Sequence, residues 1–335
     1  MKIKQHIYTA VVIGCGRIGA SFEYDPGRPK PASHAAAFKH NKRTILLAVV
    51  DTDEKLARAA ADYYRVPYYT DAEACLAEVR PDIVAIATPP STHEALVKLA
   101  IKQGVKGIVC EKPLAQSDRS GAAIRAAVEK SRVALVVNHQ RRFFPLFKKV
   151  QKDIAAGKFG RVQQVTCYYN NGLYNNGTHT VDALRFLLGS ECVWAVGHEN
   201  VVNSTAPVGD ANIDGLLGFM NGTVATLQSF DGRTIGIHDF HLLCDTGEVV
   251  ISKYGYHVEY RPVRTSAEFK GVREFSSSGR ATEDVRSMVA DAVDHVVTRI
   301  DGTGTTESSA TDALATMRVL QALAQSARSK KIITL

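Results

Sequence analysis

No run of this chain is apolar for long enough to cross a bilayer, and its first residues, Met1-Lys2-Ile3-Lys4-Gln5-His6, lack the apolar core of a secretory leader. A soluble, cytoplasmic protein is the expectation. The six cysteines (15, 75, 110, 167, 192 and 244) form no CxxC pair and show no ligand-like spacing, which speaks against a zinc site or a disulfide framework and suits a reduced compartment. No metal is expected. Charge is not concentrated either. The formal net charge is +7, yet the densest basic clusters, Arg141-Arg142 and Lys148-Lys149, are only pairs. Without a basic helix or an aromatic–basic surface, nucleic-acid binding is set aside. Internal repeats and low-complexity tracts are also missing.

What is present is an ordinary globular composition, 45% hydrophobic and 22% charged over 335 residues, long enough to favour two domains. Tyr8 to Ile13 is a β-branched apolar run followed directly by Gly14-Cys15-Gly16-Arg17-Ile18-Gly19. This is the GxGxxG pattern: glycines for a tight turn, for close approach to a pyrophosphate and for packing the next helix. A second strand, Ile45 to Val50, ends at Asp51, where a carboxylate would accept the adenosine ribose hydroxyls and repel a 2′-phosphate. NAD is therefore expected rather than NADP. Asp51 lies further from the glycines than the usual ~20 residues. The excess is a loop-type insertion, Tyr24-Asp25-Pro26-Gly27-Arg28-Pro29-Lys30-Pro31, after which a helix from about Ser33 to His40 resumes the unit.

The rhythm continues through helices at 53–64 and 71–79, a strand at 82–87, a helix at 92–103, a strand at 107–110, a helix at 117–131 and a strand at 134–137. Alternation of this kind predicts a parallel, doubly wound sheet. Thr88-Pro89, Lys112 and Gln140 follow three of its strands and should emerge at one edge, with His93 and His139 beside them as structural or cofactor-facing residues. At the centre stands Ile108-Val109-Cys110-Glu111-Lys112-Pro113. Its proline cannot continue a ladder and pushes Lys112 away from helical geometry, at the strand end where α/β sheets hold their ligands.

Phe144 to Ala156 reads as a linking helix, after which the period changes to two. Strands are expected at 162–169, 193–202, 213–219, 223–230, 235–244 and 249–252, with hairpin turns at Asn221-Gly222 and Thr246-Gly247. Helices at 282–300 and 310–328 close the chain and are expected to return to the first domain. The full expectation is an α/β protein: an N-terminal Rossmann doubly wound parallel sheet (residues 1–142) and a C-terminal α+β domain with a large, mostly antiparallel sheet (143–335).

Within the second half, Thr178 is positioned to cap a helix running to Gly189. His179 then falls in its first turn, where the dipole disfavours imidazolium, while Asp182 on the same face favours it. Either way a histidine there is suited to taking or returning a proton. Arg142 has two readings, surface charge or a grip on a substrate phosphate or carboxylate. Tyr174 reads as a pocket-lining or a packing residue.

The motifs GCGRIG, AIATPPSTH, CEKPL and NHQRRF, in that order, resemble the Gfo/Idh/MocA family of NAD(P)-dependent oxidoreductases. The resemblance runs over nearly the whole chain. It implies a Rossmann domain followed by a sheet domain that forms the substrate site and the oligomer contact, hence a homodimer or homotetramer. It further implies that Lys112, in the EKP motif with Glu111 and Pro113, contacts both cofactor and substrate, with Glu111 counted among the cofactor contacts. The family's Asp-x-x-x-His segment, in which histidine is the general base, matches here at His179, but Asn175 holds the aspartate's place. An amide can position a hydroxyl or the imidazole but carries no charge.

Three functions follow as expectations. The first is an NAD-dependent dehydrogenase acting on a secondary alcohol of a sugar, nucleotide-sugar or cyclitol, in which His179 takes the hydroxyl proton, Lys112 holds the same oxygen, and Asn175, Arg142, Tyr174 and Asp182 position the substrate. The basic composition and the paired arginines point to a nucleotide-sugar. The second is a non-redox sugar-modifying enzyme with transient oxidation by retained NAD. The third is an NAD-binding regulator without catalysis.

Overall fold

The computed structural model describes residues 6–202, 206–304 and 307–335. The chain divides into two compact units: residues up to Phe143 together with Arg286–Leu314, and Phe144–Val285 together with Ala315–Leu335.

The first unit is built on β1 (Tyr8–Ile13), α1 (His34–His40), β2 (Thr44–Val50), α2 (Glu54–Tyr64), β3 (Tyr68–Tyr69), α3 (Ala72–Val79), β4 (Ile83–Ile86), α4 (His93–Lys102), β5 (Gly107–Cys110), α5 (Asp118–Ser131) and β6 (Ala134–Val137). The strands pair in the order β3-β2-β1-β4-β5-β6, all parallel, which is the dinucleotide-binding order. β4, β5 and β6 are buried along their whole length, as strands covered on both faces must be. Except for α4, these helices begin where side chains accept orphan amides: Ser33 from Ala36, Asp53 from Lys55, Asp71 from Ala74, and a Ser117–Ser120 capping box.

Backbone bonds bring the strand ends level. Gly14 N donates to Val50 O (2.7 Å), Ala87 N to Ile13 O (2.8 Å), Glu111 N to Ile86 O (2.9 Å) and Asn138 N to Cys110 O (2.8 Å). The Gly-rich loop, Thr88, Lys112 and Gln140 therefore leave the sheet at one edge. The insertion folds as a self-bonded loop. Lys30 donates to Asp25 O at 2.7 Å and to Glu23 O, and the Arg28 guanidinium stacks 3.7 Å from the Phe22 ring centre.

α8 (Met288–Ile300) completes this unit. Its Val289, Ala292, Val293, Val296 and Val297 join the core formed by α1, β5 and β6, and Asp301 just beyond it takes Tyr8 Oη at 2.8 Å and Arg43 at 3.0 Å. The helix expected from residue 282 begins only at Met288, because Ser287 caps it by accepting from Val289 and Ala290. The residues before it form β15 (Arg280–Glu283), paired with β13 (His257–Thr265) in the second unit.

The second unit holds α6 (Pro145–Ala155), β7 (Val162–Asn170), α7 (Thr178–Leu188), β8 (Cys192–Glu199), β9 (Ile213–Phe219), β10 (Val224–Phe230), β11 (Asp239–Cys244), β12 (Gly247–Ser252), β13, β14 (Arg273–Phe275), β15 and β16 (Ile333–Thr334); α9 (Ala310–Ser329) runs into it from the first. The strand order is β14-β13-β12-β11-β7-β10-β9-β8-β16, with β15 also on β13. Every pairing is antiparallel except β7–β10. The hairpin at Asn221-Gly222 forms, with Gly222 at φ +85°. The strand expected from Ile235 starts four residues later, because the turn at Asp231 takes the amides of Thr234 and Ile235 (both 3.1 Å). β13 escaped the reading because it buries neither face deeply and so shows no clean alternation.

Candidate active site

In the first unit the three motif glycines have different reasons to be glycine. Gly14 has φ +100°, and a Cβ there would lie 2.6 Å from Ala87 O; a Cβ on Gly19 would lie 1.8 Å from Gly14 O. Both close the loop against itself and the next strand. A Cβ on Gly16 would meet nothing within 4 Å. That side of the loop is open, and a pyrophosphate bound there would need the backbone within reach. Asp51 stands beside this loop despite the insertion: its Oδ2 accepts Cys15 N at 2.7 Å and its Oδ1 accepts Asp53 N at 3.0 Å. These groups fit a dinucleotide. Arg17 is exposed, its guanidinium 5.8 Å from the Phe22 ring centre, and Ile18 packs on the core.

Thr88 Oγ1 is 2.7 Å from Thr92 Oγ1, and Thr92 Oγ1 in turn donates to Pro89 O at 2.8 Å. His93, expected as a cofactor contact, is fully buried. Its ring spans Leu114 O (3.1 Å) and Thr88 O (2.8 Å), and burial lowers its pKa despite those bonds. It holds together the loops that carry Thr88 and Lys112. Gln140 opens a 3-10 turn, Gln140–Arg142, and is half-buried.

Lys112 is half-buried at the end of β5, with a cis Lys112–Pro113 bond, and the neighbouring Glu111, expected among the cofactor contacts, is turned into the protein. Glu111 is 5% exposed. Its Oε1 lies 2.8 Å from His34 Nε2 and accepts Asn138 Nδ2 at 2.6 Å, and its Oε2 accepts the Lys112 amide at 3.2 Å. Burial pushes the Glu111 carboxyl up, but the hydrogen bond and charge of His34, the Lys112 charge and the Asn138 amide outweigh it and bring it down to about 2. His34 N also donates to Ile18 O at 2.9 Å, so one residue ties the glycine loop to the base of the lysine.

Arg142, expected either as surface charge or as an anion grip, is not surface charge. It is 6% exposed, donates to Glu307 O at 3.2 Å and lies 3.5 Å from Asp312. Arg141 is equally buried, at 5%. Neither guanidinium is surface charge.

In the second unit a π-helical turn, Leu173–Gly177, runs straight into α7. Thr178 is therefore the first residue of α7 and not its cap; Gly177 precedes it in helical conformation with no side-chain cap. The true N-terminal end lies a turn earlier, so His179, half-buried, sits further from the positive pole than expected. The amides at that end go to a segment remote in sequence. Gly172 N donates to Asn212 Oδ1 (2.8 Å), Leu173 N to Ala211 O (2.8 Å), Tyr174 N to both Asp210 carboxylate oxygens (3.1 Å each) and Asn175 N to Asp210 Oδ2 (3.0 Å). No local signal around residue 210 announces this.

Asn175 Nδ2 donates to Asn171 O at 3.0 Å, and Asn176 Nδ2 to Asn170 Oδ1 at 3.1 Å. Side-chain amides thus brace the turn from within, and the Asp210 carboxylate holds its backbone. Tyr174 is half-buried; burial raises its phenol pKa, the Asp210 charge adds to this and Arg328 opposes it. Asp182 is 1% exposed and accepts Thr316 Oγ1 at 3.0 Å, with Arg185 at 3.9 Å. That is a helix-packing network, in which Arg185 also bonds Thr316 (2.9 Å) and Glu191 (2.7 Å). Thr180 Oγ1 lies 3.2 Å from His238 Nε2.

Among the described residues no group of three or more His, Cys, Asp or Glu is placed to hold a metal ion, and no helix is long and apolar enough to cross a membrane.

Comparison with known proteins gives two matches to family models. Residues 8–139 match an oxidoreductase family with an NAD-binding Rossmann fold, and residues 171–335 match the C-terminal alpha/beta domain of the same oxidoreductase family. An inositol 2-dehydrogenase of Rhizobium meliloti is 32% identical over 215 residues, 60% of this chain and 60% of that protein. The chain thus spans less than two thirds of that relative's length. A D-apiose dehydrogenase of Rhizobium rhizogenes is 24% identical over 321 residues, 89% of this chain and 92% of that protein. Among solved structures, an oxidoreductase of Agrobacterium radiobacter in complex with NAD+, L-tartaric acid and magnesium superposes with a TM-score of 0.77 at 21% identity, covering 98% of both chains. At that identity the likeness shows the shared fold.

Proposed function

Because this chain belongs to the Gfo/Idh/MocA oxidoreductase family, whose Rossmann unit binds NAD, we propose that it is an NAD-dependent dehydrogenase acting on a secondary alcohol of an uncharged polyol, a cyclitol or a free sugar. The observation that carries the reading is Lys112. It leaves the sheet at the same edge as the glycine loop, next to a buried Glu111 whose carboxylate accepts the Lys112 amide and whose pKa is lowered by the Lys112 charge among others. Bound NAD supplies the hydride acceptor. Lys112 donates to the carbinol oxygen and steadies its developing charge, and His179 takes the hydroxyl proton. Proton handling of this kind contributes about 10²–10⁴ in rate, and positioning supplies much of the rest.

The substrate class departs from the nucleotide-sugar favoured by composition. Arg142 is engaged with Asp312 and Glu307 inside the first unit, which removes the motive for an anionic substrate. The His179 turn is flanked by Asn170, Asn171, Asn175 and Asn176, groups that both donate to and accept from hydroxyls. The inositol and apiose dehydrogenases among the relatives support the same choice.

Steady-state NADH formation tests this, with cyclitols, free sugars and nucleotide-sugars offered separately. Turnover with a cyclitol or free sugar, and little with nucleotide-sugars, is expected. Turnover confined to nucleotide-sugars overturns the substrate class. NAD binding without NADH from any pool shifts the reading to a non-redox enzyme or a regulator.

A further inference from the structure

A helix leaves its first four amides without intrahelical partners, and burying them unpaired costs about 1–3 kcal/mol each. The composite helix that begins at the π-turn meets this with three consecutive residues of another segment. The amides of Gly172, Leu173, Tyr174 and Asn175 are taken by Asn212 Oδ1, Ala211 O and the Asp210 carboxylate. Gly172 is required for this approach: it has φ +92°, and a Cβ there would lie 2.2 Å from Asp210 Oδ2. π-Turns are strained relative to α-helix and recur where a side chain must be re-aimed. Here the turn Leu173-Tyr174-Asn175-Asn176-Gly177 contains no acidic residue, and the carboxylate bonded to it comes from outside.

We propose that Asp210 is the positioning residue for the His179 turn. It anchors the backbone of Asn175 one turn before His179, holds the π-register against relaxation to a plain α-helix, and brings an anion to a turn that has none. This rests on the reading of His179 as the proton acceptor. Because Asp210 acts through backbone amides, its loss misplaces the base without removing it. A displacement of about 1 Å costs up to ~10²-fold in rate.

The test compares Asp210→Ala, Asp210→Asn and His179→Ala in the full chain, with Leu323→Ala, a buried α9 substitution in the same unit, as a control for general destabilisation. For Asp210→Ala the expected result is a kcat about 10- to 100-fold lower. NAD affinity should be unchanged, and amide hydrogen exchange should be faster over residues 172–177 than elsewhere in the unit. Asp210→Asn, which keeps one acceptor oxygen, should recover part of kcat. Leu323→Ala at a comparable loss of thermal midpoint should keep its kcat. Wild-type kcat in Asp210→Ala with His179→Ala inactive overturns the role of Asp210 alone. Full activity in His179→Ala overturns the reading beneath it. An equal kcat loss in Leu323→Ala reduces Asp210 to a stability residue.

Discussion

His34 Nε2 lies 2.8 Å from Glu111 Oε1, with His34 fully buried and Glu111 5% exposed. The Lys112 amide donates to the other Glu111 oxygen, and the pair joins the glycine loop through His34 N and Ile18 O. A buried carboxylate is tolerated only where such partners hold it.

His34→Ala is expected to destabilise the protein by about 3 kcal/mol, because it leaves Glu111 buried with one partner fewer. The double variant His34→Ala/Glu111→Gln should be more stable than His34→Ala alone. Urea unfolding of both variants checks this, and additivity of the two substitutions would contradict it.

The pH dependence follows from the same carboxyl. Its folded pKa, about 2, lies below the ordinary value of 4.5, so its contribution to stability is complete above the unfolded pKa and fades as pH falls from there through the folded one. Wild type should therefore lose more stability on acidification through that window than Glu111→Gln, as measured by thermal midpoint against pH. Equal losses would mean that Glu111 is not held ionised.

Gly14 and Gly16 should respond oppositely to alanine. At Gly16 a methyl meets open space, so Gly16→Ala should change stability by no more than about 0.5 kcal/mol while weakening NAD binding. Gly14→Ala forces a methyl against Ala87 O at φ +100° and should lower the thermal midpoint. Calorimetric titration with NAD beside thermal unfolding separates the two effects.

All six cysteines are free and buried. Burial pushes Cys15, Cys75 and Cys244 up to about 12 and Cys192 up to about 11, and raises Cys110 and Cys167 further. With so little thiolate at neutral pH, the native protein should react with a disulfide reagent far more slowly than the unfolded chain. Rapid labelling of Cys15 in the native state would contradict its burial beside Val50 O at 3.5 Å.

Much of the fold is legible in the sequence. β5 and β6 fall on the residues expected, since a fully buried parallel strand reads as an unbroken apolar run. Four of the first-unit helices start next to Ser33, Asp53, Asp71 and Ser117, as expected, because capping is local chemistry. What could not be read is long-range. Asp210 meets residues 174 and 175 through tertiary folding alone. The partners that engage Arg142 and Asp182, Asp312 and Thr316, lie 170 and 134 positions downstream. Thr178 misled for a different reason: a π-turn places one extra residue in the helical path, and no propensity scale marks it.

The central claim is net hydride transfer at a site built on Lys112, and it is tested by a single-turnover experiment. Protein and NAD are mixed at comparable concentration and challenged with the preferred polyol, and NADH absorbance is followed for wild type and Lys112→Ala. The account predicts a rise in NADH with wild type. It predicts a rise slowed by about 10²-fold or more in Lys112→Ala, with NAD affinity retained. Substrate consumption without NADH, or an equal rise in both proteins, would contradict it.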